Sequence, residues 1–228
     1  GTLSLPSGLE YLGEDAFSQC GTALQGDIVI PTTLSSLPPE ALRANMGENS
    51  RLLLHEGIIE IGVPRSMNSM PTYPVISEKI YINNMILPSS LEHIGPNAFR
   101  GCSIGGELHL PDNIKVIESG AFSSTDINGT LELPKSLQTV MSDTFAWTNI
   151  SRLEALNIQV IESGAFWGCR NLNTVFLGSD LELVDDNAFS DCPSLSSVIC
   201  LAKDPPILGE EVFWWYDDMV LLVPEESL

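Results

Sequence analysis

Asn113-Ile114-Lys115-Val116-Ile117-Glu118-Ser119-Gly120-Ala121-Phe122 and Asn157-Ile158-Gln159-Val160-Ile161-Glu162-Ser163-Gly164-Ala165-Phe166 are near-copies of each other. Two stretches this alike in one chain mark an internal repeat, and a repeat decides the fold before any element is assigned. Outward from them, the Ala-Phe pair recurs as Ala16-Phe17, Ala98-Phe99 and Ala188-Phe189, with Thr144-Phe145, Val212-Phe213 and Ala41-Leu42 as variants. Phe99, Phe122, Phe145, Phe166, Phe189 and Phe213 follow one another at a nearly constant step, slightly shorter into Phe166 and slightly longer into Phe213. Pro6, Pro31, Pro88, Pro111 and Pro134 each stand the same distance ahead of an anchor position, as Pro111 does ahead of Phe122. The unit reads L-x-L-P-x-x-L-x-x-I-x-x-x-A-F-x-x-C-x-x-L.

Each position has a physical role. Leu108-His109-Leu110-Pro111 and Leu131-Glu132-Leu133-Pro134 alternate before the proline, the period of a short strand with one buried face. Proline ends the strand because it has no N–H for the ladder. Leu91 and Ile94, or Ile114 and Ile117, then point inward from the return segment, and Ala-Phe fills the middle of the coil. A unit of this size cannot bury such a face alone, so the units stack. The expectation is one solenoid over residues 1–228, of about nine units of about 23 residues, with short parallel strands, irregular turn-like return segments and little helix.

The unit resembles the BspA-like leucine-rich repeats, with their strand, Pro, two aliphatics, Ala-Phe, Cys and Leu, from Leu3 to about Val223. That resemblance implies an exported or cell-surface bacterial protein, acting as a non-enzymatic adhesion module. Its partner would be a protein on a host or neighbouring cell. A structural spacer or stalk is the alternative from a different class.

Composition agrees with a folded, acidic chain. Of 228 residues 43% are hydrophobic and 18% charged, and no apolar run approaches the roughly 18 residues of a membrane helix. Thirty Asp and Glu against ten Lys and Arg leave a net charge of −20, which repels nucleic-acid phosphates and anionic lipid. From Gly178 onward twelve acidic residues accompany one lysine; Glu162, Asp185, Asp186, Glu210 and Glu211 are expected to stack along one solvated edge. Gly1 in place of Met is read either as the trace of a removed upstream segment or as a residue left by cloning, and Val223-Pro224 as the opening of a further unit.

The pattern breaks between Gly62 and Tyr81. His55 stands where a proline is expected, yet no anchor follows and Pro88 arrives later than the period allows, so about ten residues are inserted over 62–81. Met46, Met67, Met70 and Met85 lie in or beside this stretch. It is either a repeat repacked by adaptable methionines or a loop that touches a partner.

Catalytic chemistry lacks a carrier. Cys20, Cys102, Cys169 and Cys192 stand three residues after the anchor, where other units carry Thr125, Thr148 or Asn45. Such a position suits a small side chain tucked into a turn, so these read as buried structural thiols. Strands about 4.8 Å apart leave a Cys169–Cys192 bridge as the alternative. Cys200, between Ile199 and Leu201, is expected on the opposite face from them, as the one reactive thiol. His55, His93 and His109 occupy different positions in different units, without ligand spacing. No G-x-S-x-G, G-x-G-x-x-G, phosphate-binding loop or H-E-x-x-H pattern occurs. No enzyme, metal or cofactor is expected. Trp214, Trp215 and Tyr216 read as a cover for the end of the core or as a glycan-stacking platform.

The candidate binding surface follows from strand alternation. If residues one and three before each proline position point inward, the residue two before it points outward. That position reads Ser4, Val29, Leu53, Ile86, His109, Glu132, Phe176, Cys200 and Leu222. Val29, Leu53 and Ile86 form an apolar ladder, with His109, Glu132 and Phe176 beyond it, as the candidate partner-binding residues. Cover by the 62–81 loop or by a second copy of the chain is the competing expectation.

Overall fold

Seven units open with a strand, and these strands line one side of the coils. They are β1 (Asp27–Val29), β3 (Arg51–Leu53), β7 (Asn128–Glu132), β9 (Asn149–Ala155), β11 (Thr174–Leu177), β13 (Ser197–Cys200) and β15 (Val220–Leu222). β1 pairs with β3, while β7, β9, β11, β13 and β15 form one five-stranded sheet in chain order, with all pairs parallel. This computed structural model describes residues 3–13, 16–17, 26–38, 41, 51–62, 86–214 and 219–224, with no helix among them. No helix there is long and apolar enough to cross a membrane.

Proline closes the strand by opening a turn. The amides of Leu9, Leu34, Leu91, Ile114 and Leu137 donate to the carbonyls of Pro6, Pro31, Pro88, Pro111 and Pro134 at 3.0–3.2 Å, and His55 accepts likewise from Ile58 at 3.4 Å. The return segment is more regular than expected. It carries two-residue strands: β2 (Ser36–Leu37), β4 (Glu60–Ile61), β5 (His93–Ile94), β6 (Val116–Ile117), β8 (Thr139–Val140), β10 (Val160–Ile161), β12 (Leu183–Val184) and β14 (Ile207–Leu208). They form two four-stranded parallel ladders, β2-β4-β5-β6 and β8-β10-β12-β14. Eight such strands bound about seven turns, slightly fewer than the nine units counted along the chain, because residues 3–13 contribute no strand.

The anchors are the axis of the core. The rings of Phe99, Phe122, Phe145, Phe166, Phe189 and Phe213 stack in sequence with centroids 5.3–5.6 Å apart and planes within 14° of parallel. Burying each ring contributes about 1.5–3 kcal/mol, with about 0.5–1.5 kcal/mol more per aromatic contact. Neighbouring anchor turns are also joined by their backbones. Phe99, Phe122, Phe145 and Phe166 donate to the carbonyls of Ala121, Thr144, Ala165 and Ala188 at 2.8–2.9 Å.

This turn demands left-handed backbone on both sides of the anchor. Two residues before it, Asn97, Gly120, Asp143, Gly164, Asn187 and Glu211 all have φ between 53° and 69°. Two residues after it stand Gly101, Ser124, Trp147, Gly168 and Asp191, again with positive φ. Gly, Asn and Asp tolerate that region; a bulky ring does not, so Trp147 at φ 60° stores about 1–3 kcal/mol of strain.

Three residues after the anchor the expected equivalence of Cys and Thr takes a definite form. Thr125 and Thr148 donate to the carbonyls of their own anchors, Phe122 and Phe145, at 2.8 and 2.9 Å. Cys169 and Cys192 donate to the anchor carbonyls of the preceding coils, Phe145 and Phe166, both at 3.2 Å. Cys102, Cys169, Cys192 and Cys200 are buried thiols outside any disulfide; Cys20 lies outside the described residues.

The break in pattern does not interrupt the stack. The expected insertion falls, from residue 63 through residue 81, outside the described residues, as do Met46, Met67, Met70 and Met85. On either side of it, Glu60 and Ile61 pair directly with His93 and Ile94. Glu56 clasps the later coil. Its carboxylate accepts from the amides of Ser89 and Ser90 at 3.0 and 3.2 Å and from the Ser89 hydroxyl at 2.9 Å. These bonds, the Ser89 amide foremost, hold the Glu56 carboxyl below its ordinary pKa.

Candidate functional site

Outward strand residues form a continuous column because parallel register keeps equivalent positions side by side. Val29 lies opposite Leu53 in the β1–β3 pair. Both are exposed, at 57% and 38%, and Ile86 is 82% exposed on its coil. His109 and Glu132 are exposed and Phe176 is half-buried. In the five-stranded sheet the column runs Glu132, Glu154, Phe176, Ile199 and Leu222.

Two corrections follow. Glu154, skipped in the sequence reading, is a full step between Glu132 and Phe176. It belongs to the unit that lacks a proline, and a bulge between β7 and β9 shifts the register by one residue beyond Gly129. Cys200 does not point outward: it is 6% exposed, and its neighbour Ile199 takes the outward place opposite Phe176. The unit between Phe189 and Phe213 is one residue longer than the one between Phe166 and Phe189, and its extra residue sits after the strand. Counting back from the anchor therefore slips the register by one, which turns every side chain to the other face.

The column changes character along its length. Arg152 sits with its guanidinium carbon 4.0 Å from the Phe176 ring centroid and donates from Nε to Glu154 Oε1 at 2.9 Å. The middle is thus polar and internally paired, whereas the Val29–Leu53–Ile86 end presents aliphatic carbon. Between the two, Glu107, His109, Thr130 and Glu132 line a notch of about 280 Å³.

The acidic edge is spent on the backbone. Glu162 accepts from the amide and hydroxyl of Ser142, both at 2.9 Å, and Asp186 accepts from the Glu210 amide at 2.6 Å. His93 Nε2 lies 2.6 Å from Glu118 Oε1. Among the described residues no cluster of three or more His, Cys, Asp or Glu is arranged to hold a metal. Trp214 is exposed at the last described anchor turn; Trp215 and Tyr216 lie outside the described residues.

Trp147 and Trp167, recognisable in the chain as tryptophans near the anchors, are brought together on a second surface. Along the anchor turns, Trp147 and Trp167 are 40% and 43% exposed, with ring centroids 5.4 Å apart and planes tilted by 52°. They border a cavity of about 570 Å³ that also takes in Asn97, Arg100 and Asp143. Burial pushes the Asp143 carboxyl up, against the pull of Arg100. The available signal was a tryptophan two residues after the anchor, where Gly101, Ser124, Gly168 and Asp191 stand in the other described units.

Comparison with known proteins places this architecture. The profile of the BspA type leucine rich repeat region matches residues 1–63 and 73–196, in six copies. Among solved structures, a leucine-rich repeat protein from Bacteroides ovatus ATCC 8483 superposes with a TM-score of 0.56 at 19% identity. The match covers 94% of this chain and 64% of that one, so the present chain spans less than two thirds of its relative. No curated protein matches the chain.

Proposed function

Because the chain belongs to the BspA-type leucine-rich repeat family, we propose that it is a non-enzymatic adhesion module that captures a protein ligand at an exported or cell-surface location. Proteins of this family are often surface proteins, and leucine-rich repeat domains generally mediate protein interactions. One observation supports the reading above the others. Val29 and Leu53 on their strands and Ile86 at the corresponding place before Pro88 keep large aliphatic side chains in solvent, where a spacer is served better by polar residues. The polar His109 and Glu132 continue the column, so the surface pairs an apolar end with a hydrogen-bonding stretch beside it, and Phe176 follows as an aromatic contact.

Leu53→Asp tests this. The substitution puts a charge into the apolar end without removing core, since Leu53 is 38% exposed. Expected is an unchanged melting temperature, together with loss of binding to immobilised extracellular-matrix or cell-surface proteins, or loss of self-association by sedimentation. A collapse of thermal stability with no oligomer to lose makes Leu53 core. Failure of the unmodified protein to bind any such surface leaves the spacer reading in its place.

A further inference from the structure

The anchor turns carry a trough roughly twice the volume of the notch on the strand face. Its floor is the Phe122 turn, which reads Ser119-Gly120-Ala121-Phe122-Ser123-Ser124 and is all small residues around the buried anchor. The flanking turns are larger: Asn97 and Arg100 stand on one side, Asp143 and Trp147 on the other. Stacking in register thus converts a difference in side-chain size between three successive units into a depression of about 570 Å³. That lies within the roughly 300–1,000 Å³ usual for small-molecule sites.

Trp147 is held there against its own backbone preference, at φ 60°. Its ring lies across the bare backbone of the next coil, since a Cβ on Gly168 would come within 2.6 Å of it. Trp167 stands beside it, and Arg170 approaches with its guanidinium carbon 5.6 Å from the Trp147 ring centroid. Strain of about 1–3 kcal/mol at Trp147 offsets what its contacts with Trp167 and Arg170 return, so a half-exposed tryptophan at this position adds little net stability.

We propose that this trough binds a neutral carbohydrate, with Trp147 and Trp167 packing on the apolar face of a sugar ring and Asn97, Arg100 and Asp143 bonding its hydroxyls. The chemistry of the lining selects that class. The partly exposed indoles of Trp147 and Trp167 suit the C–H face of a pyranose, and amide, carboxylate and guanidinium groups supply planar donors and acceptors for vicinal hydroxyls. One Arg and one Asp leave the lining without net charge, and the chain's −20 opposes anionic ligands. An extended peptide is disfavoured because the backbone of the floor is already used: Gly120, Phe122 and Ser124 donate to Ser142, Thr144 and Ala146 at 2.8–3.0 Å. Main-chain pairing of the kind that holds a peptide strand has no partner there.

The test is a tryptophan-fluorescence titration of the intact chain against neutral gluco-, galacto-, manno- and N-acetylglucosamine oligosaccharides, with sulfated and sialylated counterparts alongside. Saturable binding of at least one neutral oligosaccharide is expected. Trp147→Gly should weaken it by about tenfold or more while the melting temperature changes little, because glycine accepts the left-handed backbone and that relief offsets the lost Trp167 and Arg170 contacts. Arg100→Ala removes an exposed side chain that, among the described residues, bonds to Asn97 at 3.4 Å, and should weaken binding severalfold in a protein of unchanged stability. This second variant keeps the test decisive even where Trp147→Gly alters the fold. Binding of none of the neutral oligosaccharides at millimolar concentration, binding confined to the anionic ones, or affinity unaffected by Arg100→Ala overturns the proposal. Leu53→Asp lies on the strand face and should leave this titration unchanged, so the two sites fail separately.

Discussion

Removing one ring from the middle of the phenylalanine stack measures how the solenoid holds together. Phe145 is fully buried, between Phe122 at 5.5 Å and Phe166 at 5.6 Å. Truncating a buried Phe to Ala costs about 3–5 kcal/mol through lost transfer energy and the cavity left behind. Two ring contacts at about 0.5–1.5 kcal/mol each bring Phe145→Ala to about 4–8 kcal/mol. Phe213 is the control: it is half-buried and has one described ring neighbour, Phe189 at 5.6 Å, so Phe213→Ala should cost about 2 kcal/mol. The assay is urea unfolding followed by far-ultraviolet circular dichroism, with free energies taken from midpoint and slope. Each coil touches only its neighbours, so the interior lesion should also uncouple the two halves and lower the apparent slope, whereas the terminal one should not. Equal costs for Phe145→Ala and Phe213→Ala would refute nearest-neighbour stacking as the source of stability.

Two further outcomes follow. Thiol labelling of native protein should leave Cys102, Cys169, Cys192 and Cys200 unmodified, while the denatured chain without reductant should report five groups; mapping label to native Cys200 would contradict its burial. The Glu56 clasp has a pH signature. Its folded pKa is lowered, so its contribution to stability is fully present above the ordinary carboxylate pKa and is lost as pH falls through the lowered one. Glu56→Gln should therefore lower stability at neutral pH and flatten that part of the acid limb; an acid limb identical to that of the unmodified protein refutes the clasp.

How much was legible in the chain depended on whether the physics involved was local. The period, the Phe anchors and the inward pairs such as Ile114 and Ile117 could be read directly, since each unit repeats the same demand for buried carbon and a strand-ending proline. The Cys and Thr column was legible for the same reason: both side chains offer a small donor to a carbonyl near the anchor turn. Outward placement of Val29, Leu53, Ile86, His109, Glu132 and Phe176 came from alternation alone. Alternation failed at Cys200, because nothing local says on which side of the strand a longer unit stores its extra residue.

By itself, then, the sequence determined a stacked parallel solenoid, its core and most of its outward column, because these rest on chemistry repeated at a nearly constant spacing. Register, adjacency and surface relief were decided only by the tertiary structure. Pairing in the sheet placed Glu154 in the column and turned Ile199 outward in place of Cys200. Stacking made Glu60 and Ile61 neighbours of His93 and Ile94 despite the long interval between them. The trough beneath Trp147 and Trp167 exists because a unit of small side chains lies between larger ones. The size of each residue is written in the chain, but which residues become walls and floor depends on every intervening coil closing in register.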